Sequence, residues 1–377
     1  MQKANNHSKL LSFLALGADE VLSESSPVPV QSSQPDPASA EMVNGKTVLI
    51  TGAAGSIGSE LVRQLAKLSP GLLLLLDRAE TPLVDLHLEL EEQGCKIPLV
   101  PLVADITDAR GINRIFAKYR PHIVFHAAAY KHVPIMQRYP AEALRNNVFG
   151  TKIPADAALK YGAECFLMIS TDKAVNPVSV MGASKRLAEI YLQSRPQEPG
   201  QTKFLSTRFG NVMGSNGSVV PRFQKQIAAG GPLTITNPDA TRYFISIPQA
   251  CARVLQSAAI SKGGEIFIFD MGRPVSITEL AEKMIRMAGL RPGIDIEMKI
   301  TGLRPGEKMD EELYLPGEEA IATTRPGIMI LNGNPEPTAL ADELIFKLKE
   351  GMKTCNAKQL VKLMRELLPE FAPAVKG

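Results

Sequence analysis

The chain has no tryptophan, and aromatic residues fill only 5% of its 377 positions. Aromatic platforms on which nucleic-acid bases stack are therefore not expected. Cysteine is equally sparse. The four, Cys95, Cys165, Cys251 and Cys355, lie far apart, forming neither a metal-ligand pair nor a disulfide framework, which fits a reducing compartment. An excess of either charge is missing too, with 42 Lys+Arg against 39 Asp+Glu and a net charge of +3. With no dense basic patch, a nucleic-acid partner is not expected. The five histidines do not stand at ligand spacing with carboxylates, so no metal site is expected. No run approaches the ~20 apolar residues that cross a bilayer. The leucine run at 72–76 is too short and reads as a buried strand. The apolar stretch at 10–16 lacks a small-residue cleavage site and reads as a short helix rather than a signal peptide. A soluble, cytoplasmic chain follows as the expectation.

What the chain does have is apolar mass: 45% hydrophobic against 21% charged residues, enough for a sizeable core. Residues 21–44 are rich in Ser, Pro and Gln and read as a linker, so residues 1–44 form a helix and linker ahead of the folded part. From Lys46 onward strands and helices alternate: KTVLIT, then SELVRQLAKL; LLLLLD, then a Glu-rich helix; KIPLVPLVAD, then ARGINRIFAKY; HIVFHAAA; ECFLMIST. Alternation with continuously apolar strands predicts an α/β fold, a Rossmann-type doubly wound parallel sheet covered on both faces. The second half is less regular. PRFQKQIAAGG ends a helix at glycine, LTIT and EIFIFD read as strands, and SITELAEKMIRMAG is a capped amphipathic helix. The expected division is a cofactor-binding domain over 45–208, rejoined by 242–270, an interleaved smaller C-terminal substrate-binding lobe over 209–333, and terminal helices over 334–377.

Gly52, Gly55 and Gly58 stand in TGAAGSIG between a strand and a helix. Glycines there allow a tight turn and let a pyrophosphate approach the backbone at the helix N-terminus, so Ser56 and Ile57 join the expected cofactor contacts. The spacing is GxxGxxG, a modest signal alone; the next strand strengthens it by ending in Asp77, placed to accept from a ribose hydroxyl. Asp77 favours NAD because a carboxylate repels a 2′-phosphate, while the adjacent Arg78 would accept one, so NADP stays open. Asp105, at the end of a later strand and followed by Ile106, is either an adenine contact or a helix cap. Ala127, within HIVFHAAA, and Tyr130, just past it, are further expected cofactor contacts.

Seven motifs occur in order: TGAAGSIG (51–58), HAAAYKHVP (126–134), ISTDKAVNP (169–177), MGASK (181–185), RFGNVMGSNGSVVP (208–221), TRYFISI (241–247) and GLRPGEK (302–308). In combination they resemble an extended short-chain dehydrogenase/reductase, and more narrowly the UDP-N-acetylglucosamine 4,6-dehydratases of bacterial polysaccharide and glycan synthesis. The resemblance covers about residues 45–370. It implies C4 oxidation by NAD(P), loss of water across C5 and C6, and hydride return to C6, giving a 4-keto-6-deoxy sugar nucleotide with a tightly held, recycled cofactor. Elimination needs a base at C5 and an acid for the departing hydroxyl. The resemblance places these at Thr171, Asp172 and Lys173, with Lys173 the base and Asp172 the acid, each expected uncharged through burial and, for Lys173, through Lys185.

Lys185 lies one helical turn after Met181. The wider superfamily carries a tyrosine where Met181 stands, and a thioether has no proton to exchange. The base at C4 is therefore open among Lys185, Lys173, Asp172, Tyr130 and a water. Lys185 is also expected on the nicotinamide ribose, and Met181 to pack beside the sugar. Lys131 and His132 are expected to line the crevice. By the same resemblance Asn211, Arg242 and Arg304 would meet the phosphates or sugar, and Glu307 a ribose hydroxyl. Met-bearing members resemble the C5-retaining enzymes, and family members associate, implying a homo-oligomer. Long members place membrane helices and another domain before this unit. The stretch ahead of Lys46 holds no membrane span, so the chain resembles the catalytic half.

Overall fold

A computed structural model describes Phe13 and residues 36–373, apart from 197, 199, 315, 316 and 333–337. Nine strands form one sheet: β1 (Thr47–Thr51), β2 (Leu72–Asp77), β3 (Leu99–Val103), β4 (Ile123–His126), β5 (Cys165–Ile169), β6 (Lys203–Arg208), β7 (Ile266–Phe269), β8 (Glu319–Ala322) and β9 (Ile328–Asn332), in the order β8-β9-β7-β6-β5-β4-β1-β2-β3. From β3 to β7 every pairing is parallel; β9 runs antiparallel to both β7 and β8. The expected Rossmann-type sheet is present. Its strand order reverses between β1 and β4, and a crevice outside the carboxyl ends opens at such a point.

The strands alternate their side chains between two cores, as a period of two requires. Leu49, Leu74 and Leu76 face one cluster, Val48, Ile50, Leu73 and Leu75 the other. The first is covered by α4 (Ala109–Tyr119), α5 (Gly150–Tyr161) and α6 (Val180–Gln193); the second by α2 (Ser56–Leu65), α3 (Glu80–Glu92) and α8 (Ile247–Ile260). The two terminal helices expected from the sequence are α10 (Thr338–Thr354) and α11 (Ala357–Leu367); Leu348 and Met364 pack into the first cluster. A third cluster stands apart: Val220 and Phe223 from α7 (Val219–Ala228), Leu280 and Met284 from α9 (Ile277–Met287), and Leu233.

Two stretches differ from the sequence reading. Residues 37–43 are not linker: α1 (Pro37–Val43) is capped by Asp36, whose carboxylate accepts from the Ser39 N–H at 2.9 Å and pairs with Arg325 at 2.8 Å, and Val43 is fully buried. The Ser/Pro composition hid a helix start, since proline at the first helical position with an acidic cap is itself a start signal. The β8–β9 hairpin also extends the sheet where no strand was expected. Of the helix expected at 10–16, only Phe13 lies within the described residues, and it is buried in the third cluster.

His126, at the tip of β4, is wholly buried, its Nδ1 2.7 Å from Thr51 Oγ1 and its Nε2 3.0 Å from Thr151 Oγ1. Burial, with the Lys185 charge adding to it, holds the imidazole down at about 3. The unfolded chain binds a proton near its ordinary value of 6.5 that the folded imidazole refuses. Stability is therefore complete above that value and falls by about 1.4 kcal/mol per pH unit as pH drops toward the folded value. Urea titrations at about pH 6 and about pH 4.5 should show a smaller loss for His126→Gln than for the wild type; equal losses would place the acid sensitivity elsewhere.

Candidate active site

The glycine-rich turn joins β1 to α2. Gly52 has φ +68°, and a Cβ there would lie 2.7 Å from the Ala128 backbone, just past Ala127. At Gly58 a Cβ would lie 2.0 Å from the Gly52 carbonyl, so the helix can start this close to the turn only without a side chain. Gly55 is the helix N-cap and makes no side-chain cap, leaving the first N–H groups of Ser56 and Ile57 to a ligand. Asp77 accepts from the Ala54 N–H at 3.0 Å and from the Ala79 N–H at 2.9 Å, which ties the end of β2 to the turn. Each carboxylate oxygen keeps a second lone pair. Arg78 lies over the Tyr130 ring at 4.8 Å. A cleft of about 340 Å³ opens beside the turn, lined among others by Gly55, Ser56, Gly214 and Asn216, and the Asn216 N–H donates to Ser56 Oγ at 3.1 Å. These features suit a dinucleotide: no side chain blocks the turn, helix N–H groups are uncapped, and an acidic side chain stands at the neighbouring strand tip. Asp105 uses Oδ1 as a turn cap, accepting from the Thr107 N–H and hydroxyl, both at 2.8 Å, and Ile106 is buried against Gly150.

At the tip of β5, Asp172 and Lys173 open a 3₁₀ turn that Thr171 caps. Lys173 Nζ donates to Asp172 Oδ1 at 3.0 Å and to Asn211 Oδ1 at 3.2 Å, and stands 3.4 Å from Glu311 Oε1. Thr171 Oγ1 also donates to Asp172 Oδ1, at 2.8 Å. Asp172 is 0% exposed and Glu311 7%, while the Lys173 side chain keeps 23% of its surface, so Lys173 is the most accessible of the three side chains. The structure corrects one expectation here. Burial does push Lys173 toward neutrality, but Asp172 and Glu311 outweigh it and hold the amine above its ordinary value. Two carboxylates on one amine are the reason, and only one was legible as a partner. Burial pushes Glu311 above the usual carboxylate range.

Helix α6 can approach this turn because Gly182 has no side chain: a Cβ would lie 2.1 Å from the Lys173 carbonyl. Lys185, further along α6, is 4% exposed, and no described residue receives a hydrogen bond from its amine. Burial lowers it to about 8, with Glu189 opposing. Met181 is 3% exposed within the first core cluster. Lys131 and His132 lie beyond β4 with much of their surface exposed, and partial desolvation by the surrounding protein pushes the Lys131 amine down; Gly217 lies against the His132 ring.

The other expected phosphate contacts are placed differently from one another. Arg242 donates to the carbonyls of Thr241 and Met309 at 2.6 Å and of Lys308 at 2.8 Å, with Nε 3.9 Å from Glu311. Arg304 and Glu307 pair with each other, Nε to Oε1 at 2.8 Å. The structure thus gathers Thr171, Asp172, Lys173, Asn211 and Arg242, while Arg304 and Glu307 form a separate, more exposed pair.

Three contributors were not read from the sequence. Asn147, on a π-helical turn (Leu144–Phe149), accepts from the Tyr130 N–H at 2.8 Å and donates to the Tyr130 carbonyl at 3.0 Å and to Ser184 Oγ at 2.9 Å, tying the loop after β4 to α6. π-turns interrupt helices often at functional sites, but no residue pattern marks this one. Glu189 anchors α6 from beneath by a buried pair with Arg208, at 2.9 and 2.8 Å. Glu311 sits in an acidic run that reads as a solvated face.

The family model described as polysaccharide biosynthesis protein matches residues 48–333. The chain belongs to that family. The matched span contains the glycine-rich turn, Asp172, Lys173, Lys185 and Glu311, and ends before α10. Among family relatives, the chain is 49% identical over 281 residues to the capsular polysaccharide biosynthesis protein CapD of Staphylococcus aureus, covering 74% of this chain and 47% of that protein. It therefore spans about half the length of that relative. It is 35% identical to a UDP-N-acetylglucosamine 4,6-dehydratase (inverting) of Campylobacter jejuni, covering 72% of this chain and 78% of that one. It is 34% identical to a UDP-glucose 4-epimerase of Rickettsia rickettsii, covering 74% and 80%. Pen from Bacillus thuringiensis superposes with a TM-score of 0.72 at 31% identity, covering 78% of this chain and 92% of that one. The dTDP-glucose 4,6-dehydratase DesIV of Streptomyces venezuelae, solved with NAD, shares the fold with a TM-score of 0.62 at 22% identity, covering 71% and 88%. Family and fold together are those of nucleotide-sugar dehydratases and epimerases within the extended short-chain dehydrogenase/reductases. Among the described residues no helix is long and apolar enough to cross a membrane, and no group of three or more His, Cys, Asp or Glu is placed to hold a metal ion.

Proposed function

We propose that the chain is a UDP-N-acetylglucosamine 4,6-dehydratase of polysaccharide synthesis. The observation that carries this reading is the Lys173–Asp172 couple, 3.0 Å apart at the tip of β5 beside the crevice. An enzyme that only moves a hydride to and from C4 has no use for a base at C5 paired with an acid for the 6-hydroxyl. NAD, held by the turn at Gly52–Gly58 with Asp77 and Lys185, would supply oxidation at C4 and the reducing equivalent returned to C6. The 35%-identical dehydratase supports the substrate.

The chain's own residues handle the protons. The couple starts as ammonium and carboxylate. Moving one proton from Lys173 Nζ to Asp172 Oδ1 makes an amine and an acid with no change in net charge. The amine then removes the C5 proton. Asp172 is buried, so its proton reaches the leaving hydroxyl through the half-buried Thr171 hydroxyl that is bonded to it. Lys173 returns its proton to C5. The site has then given up one proton, and the 4-hydroxyl released one on oxidation, so passing that proton to Asp172 closes the cycle. Arg242 keeps the Lys308–Met309 loop in place and, with Asn211, would frame the sugar nucleotide.

A 4-epimerase is the second reading, favoured by the relative of that name. One assay separates them: the full chain with NAD and UDP-N-acetylglucosamine, product read by mass and NMR. A product lighter by one water is expected; an isomer of unchanged mass would establish the epimerase; absence of any product would overturn both. The same NMR spectrum reads the C5 configuration, retained if Met-bearing chains behave alike.

A further inference from the structure

The dehydratase reading uses one carboxylate on Lys173, and the structure supplies two. Glu311 comes from the segment after the Arg304–Glu307 loop, far from β5 in sequence, and its Oε1 stands 3.4 Å from Lys173 Nζ. Two contacts hold this segment against the site. Lys308 Nζ donates to the Val175 carbonyl at 2.9 Å, and Gly306 lies so close to Ser179 that a Cβ would sit 2.9 Å from it. Arg242 adds three hydrogen bonds to carbonyls, two of them on residues 308 and 309. Delivering an acidic side chain this deep is costly. Glu311 Oε2 is buried with no partner, and so is Asp172 Oδ2. One carboxylate would neutralise Lys173 at lower cost, so a second is unexplained by stability alone.

We propose that Glu311 is the third member of the Asp172–Lys173 couple, a positioning residue that holds the Lys173 amine at the crevice and sets how readily that amine trades protons with the sugar. The inference rests on the dehydratase reading for its reaction and on the geometry for its residues. The charged groups facing the amine and Glu311 are Asp172 on the β5 turn, Arg242 on the Thr241–Arg242 strand, and Lys308 on Glu311's own segment, itself engaged by Val175 and Glu312. Asn211 is neutral. Removing the Glu311 charge leaves Asp172 alone to favour the ammonium, so the neutral amine appears at lower pH and is a weaker base.

The test uses two readouts on the full chain. The first is acylation of Lys173 by acetic anhydride in the ligand-free protein, followed by peptide mass across pH. The second is solvent deuterium exchange at C5 of the 4-keto product, which isolates the Lys173 step from oxidation at C4. In Glu311→Gln both profiles should move to lower pH by about one unit, the size of one close opposite charge. The C5 exchange plateau should fall severalfold, and Glu311→Asp should bring both profiles back toward wild type. If Glu311→Gln does not hold its fold by thermal melting, Glu311→Asn repeats the measurement. Profiles that stay in place, whether exchange is unchanged or falls by one factor at every pH, overturn the proposal. Failure of the dehydratase reading shows separately, as no ketosugar from the wild type, and the acylation profile still decides the role of Glu311.

Discussion

Lys173→Met is expected to lower formation of the dehydrated ketosugar by about 10²–10⁴-fold, the range that a positioned acid or base contributes. The size follows from the position of the amine. The Lys173 side chain is more accessible than those of Asp172 and Glu311, and both Lys173 and Thr171 are hydrogen-bonded to the buried Asp172. Among the described residues no other amine is bonded to Asp172, so none takes over. The variant also leaves the Asp172 and Glu311 carboxylates together without their shared cation. Breaking a buried pair costs about 3–5 kcal/mol, and the 23% exposure of the Lys173 side chain places the loss here below that. Thermal melting therefore accompanies the assay. NAD binding, read by calorimetry, should persist, because the glycine-rich turn and Asp77 make no bond to Lys173. A variant that folds, binds NAD and dehydrates the sugar at more than a tenth of the wild-type rate would remove Lys173 from the chemistry.

The parts of this molecule that were legible in the sequence are those in which one residue type answers one local demand. Apolar runs bounded by glycine, proline or charge become strands of a sheet covered on both faces, as with LLLLLD. Gly52 and Gly58 are needed because backbone passes within 3 Å of where a Cβ would be. Ser276 caps α9, as its position ahead of an amphipathic run implies. The less legible parts are those made by distant segments meeting. Nothing local distinguishes Glu311 from Glu312, yet one is buried against Lys173 and the other is half exposed on Lys308. Asn147 acts from a π-turn and reaches Ser184 on α6, a segment distant in sequence. The protonation of Lys173 depended on such a partner. Adjacency to Asp172 was visible in the sequence, the second carboxylate was not, and the second carboxylate is part of what turns the balance against burial.

The other large effect is expected on α6, where Lys185→Ala and Met181→Leu should separate cleanly. Both side chains are almost wholly buried and lie one turn apart on the same helix face. Met181 packs in the apolar cluster, and its backbone carbonyl, not its sulfur, receives the Ser184 hydroxyl. Leucine fills a similar volume, a swap that costs less than about 1.5 kcal/mol, so turnover should stay within a fewfold of wild type. Lys185 is the opposite case. The residue is 4% exposed, its amine makes no hydrogen bond to a described residue, and burial holds it near 8. A desolvated amine with no protein acceptor is placed to bond a ligand. Lys185→Ala should lose about 10²-fold or more in turnover. The pH profile then separates two roles. If the neutral amine takes the 4-hydroxyl proton, wild-type turnover rises as pH climbs through about 8, and that limb vanishes in the alanine variant. If Lys185 only orients the nicotinamide ribose, the loss falls on NAD affinity and no limb lies there. Equal losses in Met181→Leu and Lys185→Ala would instead assign the methionine a chemical role, which a thioether without an exchangeable proton could fill only by shaping the sugar's approach.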